Sequence, residues 1–182
     1  MKKGEKAIPF KWTDIYGNAV SLENYRGKRV LLSFLRTAAC PFCNLRVHYM
    51  IHQYDAWKAQ GLEIIAVFAS SADEILQHAG KQKPPFPVIG DPDEVLYQQY
   101  GIGHSIAGMF KAMKRIKTLI EIMKKGFFSL KSLRDQPVLT GDFLIDRQGV
   151  IQEAYYGKDF GDHLPFERID AWLKEETLLD VK

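Results

Sequence analysis

The two cysteines of this 182-residue chain, Cys40 and Cys43, are three positions apart, with Pro41 and Phe42 between them. A thiolate attacks disulfides and peroxides, and a second thiol one helical turn away can form a short disulfide with it. We therefore predict a redox pair in which Cys40 attacks and Cys43 resolves. We predict neither a cofactor nor a bound metal.

A reactive cysteine needs surroundings that lower the pKa of its thiol. The apolar run at 29–35 predicts a central strand covered on both faces, and the apolar spacing beyond Pro41 predicts a helix that ends near Gly61. Cys40 then lies at a helix N-terminus, whose unpaired N–H groups favour an anion. Arg36, at the end of the strand, is either a second source of positive charge or a solvated surface group. We predict that the pKa of the Cys40 thiol lies below its usual value of about 8.5.

Two other interpretations of the cysteine pair stay open: half of a zinc site, or two buried thiols without a role. A structural zinc site needs about four protein ligands, and the chain has no second pair of cysteines. His48 and His52, four residues apart on the predicted helix, could contribute. They lie away from the apolar stripe of that helix, where solvated histidines are common.

Near the C-terminus, His163 could act as a general base. We instead predict that Asp162 is the N-cap of the last helix and that His163 lies on the surface. Lys158 and Asp159 are predicted to be turn residues. All four are therefore placed outside the predicted active site.

Predicted strands and helices alternate along the rest of the chain, which favours a three-layer α/β/α sandwich forming a single domain over residues 1–182. The further predicted elements are a strand at 62–68, a helix starting at Ser71, a loop at 83–87, a short strand at 88–89, a helix starting at 91–94 with Pro92 in its first turn, a hairpin at 143–151 and a last helix over about 165–178.

We predict a helical insertion over about 103–137, before the last hairpin, because the pattern of apolar and basic residues changes there. Its apolar positions form one helical stripe, and basic residues crowd the remaining surface. We expect the stripe to pack on the core of the domain. The alternative is an interaction module whose basic helix docks on an anionic membrane surface or an acidic partner. The stripe consists of Ile106, Met109, Phe110, Met113, Ile116, Ile120 and Met123.

Charge and composition exclude several classes of protein. The chain has 25 basic and 22 acidic side chains, a balance that does not indicate a nucleic-acid-binding surface. It contains no uncharged apolar run near the roughly 20 residues that a membrane-spanning helix needs. The basic start at residues 2–6 is followed by no apolar region of a secretory signal. We therefore expect a cytoplasmic protein.

The chain resembles the AhpC/TSA (peroxiredoxin-like, redoxin) family of thioredoxin-fold proteins. The resemblance rests on four segments. They are the N-terminal hairpin at 10–22, residues 25–32 that lead into the strand before the cysteines, the cysteine motif at 36–43 and the strand-turn-strand at 143–151. It implies a thioredoxin-like fold and a thiol-dependent oxidoreductase that reduces peroxides or protein disulfides. It also implies a thiol reductant, such as a thioredoxin-like protein, as partner. We add a homodimer as a further prediction.

The resemblance also assigns a role to Thr37, which with Cys40 fits the family pattern Thr-x-x-Cys. Two other positions depart from the peroxiredoxin pattern: Ser33 stands where a proline is expected, and Thr140 stands where we align an arginine. The candidate catalytic residues are therefore Cys40, Cys43, Thr37 and Arg36, and the choice between peroxide and disulfide substrates stays open.

Overall fold

The computed structural model describes residues 1–129 and 135–180, and its main strands and helices follow the predicted alternation. The strands are β1 (Lys11–Thr13), β2 (Ala19–Ser21), β3 (Arg29–Leu35), β4 (Leu62–Phe68), β5 (Val88–Gly90), β6 (Gly141–Ile145) and β7 (Ile151–Tyr156). The helices are α1 (Pro41–Ala59), α2 (Ala72–Gln77), α3 (Val95–Tyr100), α4 (Ile106–Met113), α5 (Ile116–Lys124) and α6 (Phe166–Asp180).

A five-stranded mixed sheet with the order β5-β4-β3-β6-β7 forms the centre of the fold. The predicted central strand is confirmed, because β3 pairs in parallel with β4 and antiparallel with β6. Leu31 lies opposite Ile64 on one side and Leu144 on the other. The predicted hairpins are confirmed as well: β1 pairs with β2, and β6 pairs with β7.

Side chains of β3 alternate between two apolar layers, as expected for a strand covered on both faces. Leu31 and Leu35 pack with residues of α1, α2 and α6, whereas Leu32 and Phe34 pack with α3 and the N-terminal hairpin. The predicted three-layer α/β/α arrangement is thus confirmed. The end of β3, which is followed by α1, therefore lies at the middle of the sheet.

The helix predicted to start at 91–94 begins later than expected, at Val95. Asp91 still satisfies the helix terminus, because its carboxylate accepts hydrogen bonds from the backbone N–H groups of Val95 at 3.0 Å and Leu96 at 2.8 Å. Glu94 adopts a left-handed conformation before the first turn, so Pro92 stays outside the helix. The start at Ser71 is confirmed, since its hydroxyl accepts from the N–H of Glu74.

The stretch predicted as a helical insertion forms two helices, α4 and α5, with the break at Lys114 and Arg115. Residues 130–134 and the side chain of Met109 lie outside the described part of the chain. The expectation that the apolar stripe packs on the core is wrong for the other six members, which are at least half exposed. Contact with the rest of the protein is made instead by the buried side chains of Ala112 and Ile122.

A small residue explains how α4 approaches the body of the protein. A Cβ atom on Gly108 would lie 3.1 Å from Leu139 Cδ2 and 3.4 Å from the Cα of Asp159. The inner face of α4 is therefore built from small side chains, and its large apolar side chains lie on the outer face. Among the described residues, no helix combines the length and the apolar character needed to cross a membrane.

Candidate active site

Cys40 is the N-cap residue of α1, and Pro41 occupies the first helical turn, where its missing N–H leaves no hydrogen bond unmade. Both cysteines are free thiols and fully buried. Their side chains lie close enough to hydrogen-bond to each other. The local sequence therefore places two thiols together at the junction of the central strand and a helix N-terminus.

Arg36 is buried rather than solvated, with 2% of its surface exposed. Its Nε donates to the carbonyl of Val138 at 2.9 Å, and its Nη2 donates to the carbonyl of Gln136 at 2.9 Å. Its Nη1 lies 3.6 Å from the sulfur of Cys40. Two backbone carbonyls thus hold the guanidinium with one N–H group directed at the thiol.

The two thiols differ in acidity. Burial disfavours the Cys40 thiolate, but the hydrogen bond from Cys43 and the charge of Arg36 outweigh it and lower the pKa of Cys40 to about 6. Burial and the neighbouring Cys40 sulfur raise the pKa of Cys43 well above its usual value. At neutral pH the pair therefore consists of a Cys40 thiolate and a Cys43 thiol, which supports the predicted direction of the Cys40 shift.

Thr37 is buried, but its hydroxyl donates to the Asp135 carboxylate at 2.6 Å. Its backbone carbonyl, rather than its hydroxyl, accepts the N–H of Cys40 at 3.0 Å. The structure therefore brings Cys40, Cys43 and Arg36 together through their side chains and joins Thr37 to them through the backbone.

Two polar residues that the sequence analysis did not single out fix the loop before Cys40. Asn44, on the first turn of α1, donates to the carbonyls of Ala38 at 2.8 Å and Cys40 at 2.9 Å. Ser70, which follows β4, accepts the N–H of Ala38 at 3.0 Å. These contacts hold the thiols at a defined position relative to β3.

The loop at 157–164, between β7 and α6, covers the cysteine motif. The guanidinium carbon of Arg36 lies 3.3 Å from the ring centre of Phe160, a cation–π contact. A Cβ atom on Gly161 would lie 2.7 Å from the ring of Phe42, so the loop approaches the motif through a residue without a side chain. We call residues 157–164 the covering loop.

A buried charged cluster holds the covering loop to the sheet. The carboxylate of Asp142, on β6, accepts from the Ser33 hydroxyl at 2.6 Å and the Leu164 N–H at 2.7 Å, and lies 3.0 Å from His163 Nδ1 and 3.7 Å from Arg46. Burial alone would raise the pKa of Asp142, but the charges of His163 and Arg46 outweigh it and hold that pKa well below the usual range.

Two predictions about this region are wrong. His163 is not a surface residue, because its side chain is 5% exposed and contacts Asp142. Asp162 is not the N-cap of the last helix, which begins at Phe166; it accepts from the hydroxyl of Tyr155 and the N–H of Lys158, each at 2.8 Å. The contact between His163 and Asp142 depends on tertiary packing and was not visible in the sequence, whereas the partners of Asp162 are within seven residues of it.

Cavities flank the cysteine motif on two sides. An apolar cavity of about 270 Å³ is lined by Arg36, Phe42, Met113, Leu119, Phe128 and Phe160. A more polar one of about 290 Å³ is lined by residues that include Thr37, Ser70, Glu74 and Asp135. Both reach residues that contact Cys40, so each brings a substrate close to the buried thiols.

The histidine pair considered for zinc lies elsewhere on α1. The rings of His48 and His52 are 4.3 Å apart, and His48 Nε2 lies 2.9 Å from the Lys125 ammonium. Within residues 1–129 and 135–180, no three His, Cys, Asp or Glu side chains converge as a set of metal ligands.

Residues 3–154 match the AhpC/TSA family. The chain belongs to the AhpC/TSA family. Peroxiredoxin Bcp of Escherichia coli (strain K12) is 23% identical over 177 residues, which cover 97% of this chain and 98% of that relative. Thiol-disulfide oxidoreductase ResA of Bacillus thuringiensis subsp. konkukian (strain 97-27) is 34% identical over 103 residues, or 56% of this chain and 59% of that relative. The sequence relatives of this AhpC/TSA protein thus include both peroxiredoxins and thiol-disulfide oxidoreductases, and the protein is an oxidoreductase.

Solved structures confirm the thioredoxin-like fold of this AhpC/TSA protein. Peroxidoxin BcpB from Mycobacterium tuberculosis matches with a TM-score of 0.68 at 15% identity, over 96% of this chain and 95% of that one. A putative thiol:disulfide interchange protein DsbE from Chlorobium tepidum matches with a TM-score of 0.60 at 21% identity, over 100% of this chain and 99% of that one. At these identities the structures show the fold and carry no argument about substrates.

Proposed function

We propose that this protein is a thiol-disulfide oxidoreductase in which Cys40 is the attacking thiolate and Cys43 the resolving thiol. The observation that carries the proposal is the asymmetry of the pair: Cys40 has a pKa of about 6 beside Arg36, and the pKa of Cys43 is raised. At neutral pH one sulfur is thus ready to attack while the other keeps its proton.

The reaction runs in two displacements. The Cys40 thiolate attacks one sulfur of a substrate disulfide, forming a mixed disulfide and releasing the first substrate thiolate. Cys43 then loses its proton to that thiolate or to solvent and attacks the Cys40 sulfur. The Cys40–Cys43 disulfide forms, the second substrate thiolate leaves, and two electrons have passed from the cysteine pair to the substrate.

Arg36 and the helix N-terminus support the first displacement, because both stabilise the thiolate before it attacks. They also favour Cys40 as the leaving group when a reductant attacks the finished disulfide, since a sulfur of lower pKa leaves faster. A thiol reductant, such as a thioredoxin-like protein, would supply the two electrons that restore the pair. The homodimer and the cytoplasmic location stay predictions.

Peroxide reduction is a second candidate function, favoured by the similarity to peroxiredoxin Bcp over 97% of this chain. Cys40 would displace water or an alcohol from the peroxide and become a sulfenic acid, and Cys43 would condense with it, releasing water. Most hydrogen-bond donors around Cys40 already have acceptors within the protein and would not be available to a peroxide. Arg36 donates to two carbonyls, and Thr37 donates to Asp135. We therefore expect slower turnover of peroxides than of disulfides.

Intact-mass spectrometry of the matched pair Cys40→Ser and Cys43→Ser tests the proposal. Cys43→Ser keeps the attacking thiolate but lacks the resolving thiol, so a disulfide substrate should leave a persistent mixed disulfide, and a peroxide should leave a sulfenic acid. Cys40→Ser should form neither adduct, because a serine hydroxyl is hardly ionised.

The mass of the trapped adduct identifies the preferred substrate class, since both substrates can be offered at equal concentration. A faster rate of sulfenic acid formation than of mixed disulfide would favour the peroxidase. If Cys40→Ser traps an adduct and Cys43→Ser does not, the proposed roles are reversed.

A further inference from the structure

A patch of exposed apolar side chains covers α4, α5 and the turn that follows α5. Seven of the eleven large apolar side chains that are exposed in the described part of the chain belong to it, each between 50% and 69% exposed. We call them the apolar patch: Ile106, Phe110, Met113, Ile116, Ile120, Met123 and Phe128. Monomeric proteins rarely leave so many large apolar side chains together in water, so the patch indicates a contact surface.

The charges around the apolar patch are strongly one-sided. Residues 103–129 contain six basic side chains and one acidic one, a net charge of +5 in a chain whose total is +3, so the rest of the chain carries −2. Arg115 is paired with Asp159, and Glu121 accepts a hydrogen bond from the Tyr49 hydroxyl. The charges left at the surface are the exposed lysines: Lys111, Lys114, Lys117, Lys124 and Lys125.

The two helices are held in place with their apolar faces outward. Ser105 caps α4 by accepting the N–H of Gly108 at 3.1 Å, and its own N–H donates to the carbonyl of Pro137. Arg115, between the helices, donates from Nε and Nη2 to the two oxygens of Asp159, each at 2.9 Å. The exposure of the apolar patch is therefore built into the fold.

We propose that the apolar patch docks on the surface of an anionic lipid bilayer. Large apolar side chains on a helix face, bordered by lysines whose alkyl stems reach along the interface, are the pattern of interfacial helices. Protein interfaces are depleted in Lys, whereas five of the seven charged side chains of residues 103–129 are lysines. The lysines complement the negative headgroups, and the patch enters the boundary between headgroups and acyl chains.

Co-sedimentation with lipid vesicles tests the docking surface and does not depend on the thiol chemistry. The full-length protein is mixed with vesicles of equal parts phosphatidylglycerol and phosphatidylcholine, or of phosphatidylcholine alone. We expect binding to the anionic vesicles that weakens as salt rises from 0.1 M to 1 M, where the Debye length falls from about 10 Å to about 3 Å. The double variant Ile120→Asp/Met123→Asp should lower the partition coefficient at least ~10-fold, since each side chain loses its burial in the bilayer.

The matched control is the double variant Leu76→Asp/Val95→Asp, which places the same charges at exposed apolar positions on α2 and α3. It should bind vesicles like the unaltered protein, and both variants should keep the same pH profile of Cys40 alkylation if they are folded. Absence of vesicle binding, equal binding to both compositions, or equal loss in both double variants would each overturn the proposal. So would a dimer in solution that Ile120→Asp/Met123→Asp dissociates, because a second copy would then cover the patch.

Discussion

Cys40 owes its acidity to groups from different parts of the chain. Cys43 is one helical turn away, whereas Arg36 is held in place by the carbonyls of Gln136 and Val138. The position of the guanidinium therefore depends on a backbone segment that is distant in sequence. Arg36 acts on Cys40 as a fixed charge, because its surroundings leave it little freedom to turn away.

The rate of Cys40 alkylation as a function of pH should have its midpoint near pH 6. Because Arg36 contributes both charge and a hydrogen bond, Arg36→Ala should move this midpoint upward. The alkylation rate at pH 7 should fall, by ~30-fold if the pKa returned to its usual value of about 8.5. Iodoacetamide labelling followed by mass spectrometry measures both quantities.

The control for this prediction is Arg26→Ala, which removes an exposed arginine whose guanidinium donates to the carbonyl of Gln148. Its alkylation profile should match that of the unaltered protein. An Arg36→Ala profile that coincides with the control would show that Arg36 does not set the pKa of Cys40.

The covering loop and the segment at 135–138 are the elements that enclose the cysteine pair. Phe160 lies over Arg36, and Gly161 lets the loop approach Phe42. Both sulfurs are fully buried, so a substrate reaches them only when one of these elements moves. The rate of thiol reactions should therefore report on loop motion as well as on thiolate content.

Phe160→Leu should raise the plateau rate of Cys40 alkylation above pH 8 several-fold and change the midpoint less. The substitution keeps an apolar side chain but removes the flat ring that lies over Arg36. Phe86→Leu is the matched control, because Phe86 contacts Tyr54 instead. Equal plateau rates in both variants would mean that the covering loop does not limit access.

For the whole molecule, the Asp142 cluster joins β3, β6, α1 and the covering loop. Its carboxylate is fully buried and faces His163 and Arg46, so its replacement should affect global stability rather than one element. Removing one partner from a buried ionic cluster typically costs about 3–5 kcal/mol, because the remaining charges stay buried without compensation.

Asp142→Asn should therefore lower the free energy of unfolding at pH 7 by about 3 kcal/mol, measured by urea denaturation. The pKa of Asp142 is lowered in the folded protein, so its contribution is present above the unfolded pKa of 3.8 and is lost as pH falls towards the folded value. The unaltered protein should lose stability below about pH 4, and the variant should lose less. Asp93→Asn, at an exposed position, should change neither quantity. If Asp142→Asn loses as much stability below pH 4 as the unaltered protein, other carboxylates account for that loss.

The features predicted correctly from sequence are those set by nearby residues. The strand at 29–35, the turn at Cys40 and the helix that follows are specified by local apolar spacing and by Pro41. The burial of His163 and the immobilised Arg36 were not predictable in this way, because their partners are far away in the chain. The exposed face of α4 and α5 was misjudged for a related reason. An apolar stripe indicates a contact surface, but it does not tell whether the core of the same protein or another molecule makes the contact.

The order in which the chain is synthesised has a consequence for the enclosed thiols. The hydrogen bonds from Arg36 to Val138 and Gln136 span 102 and 100 residues, and Phe160 emerges later still. At typical translation rates these groups follow the cysteines by roughly 5 to 24 s. During that interval both sulfurs of the nascent protein are open to small oxidants, so newly made chains should be the first to carry the Cys40–Cys43 disulfide under oxidative stress.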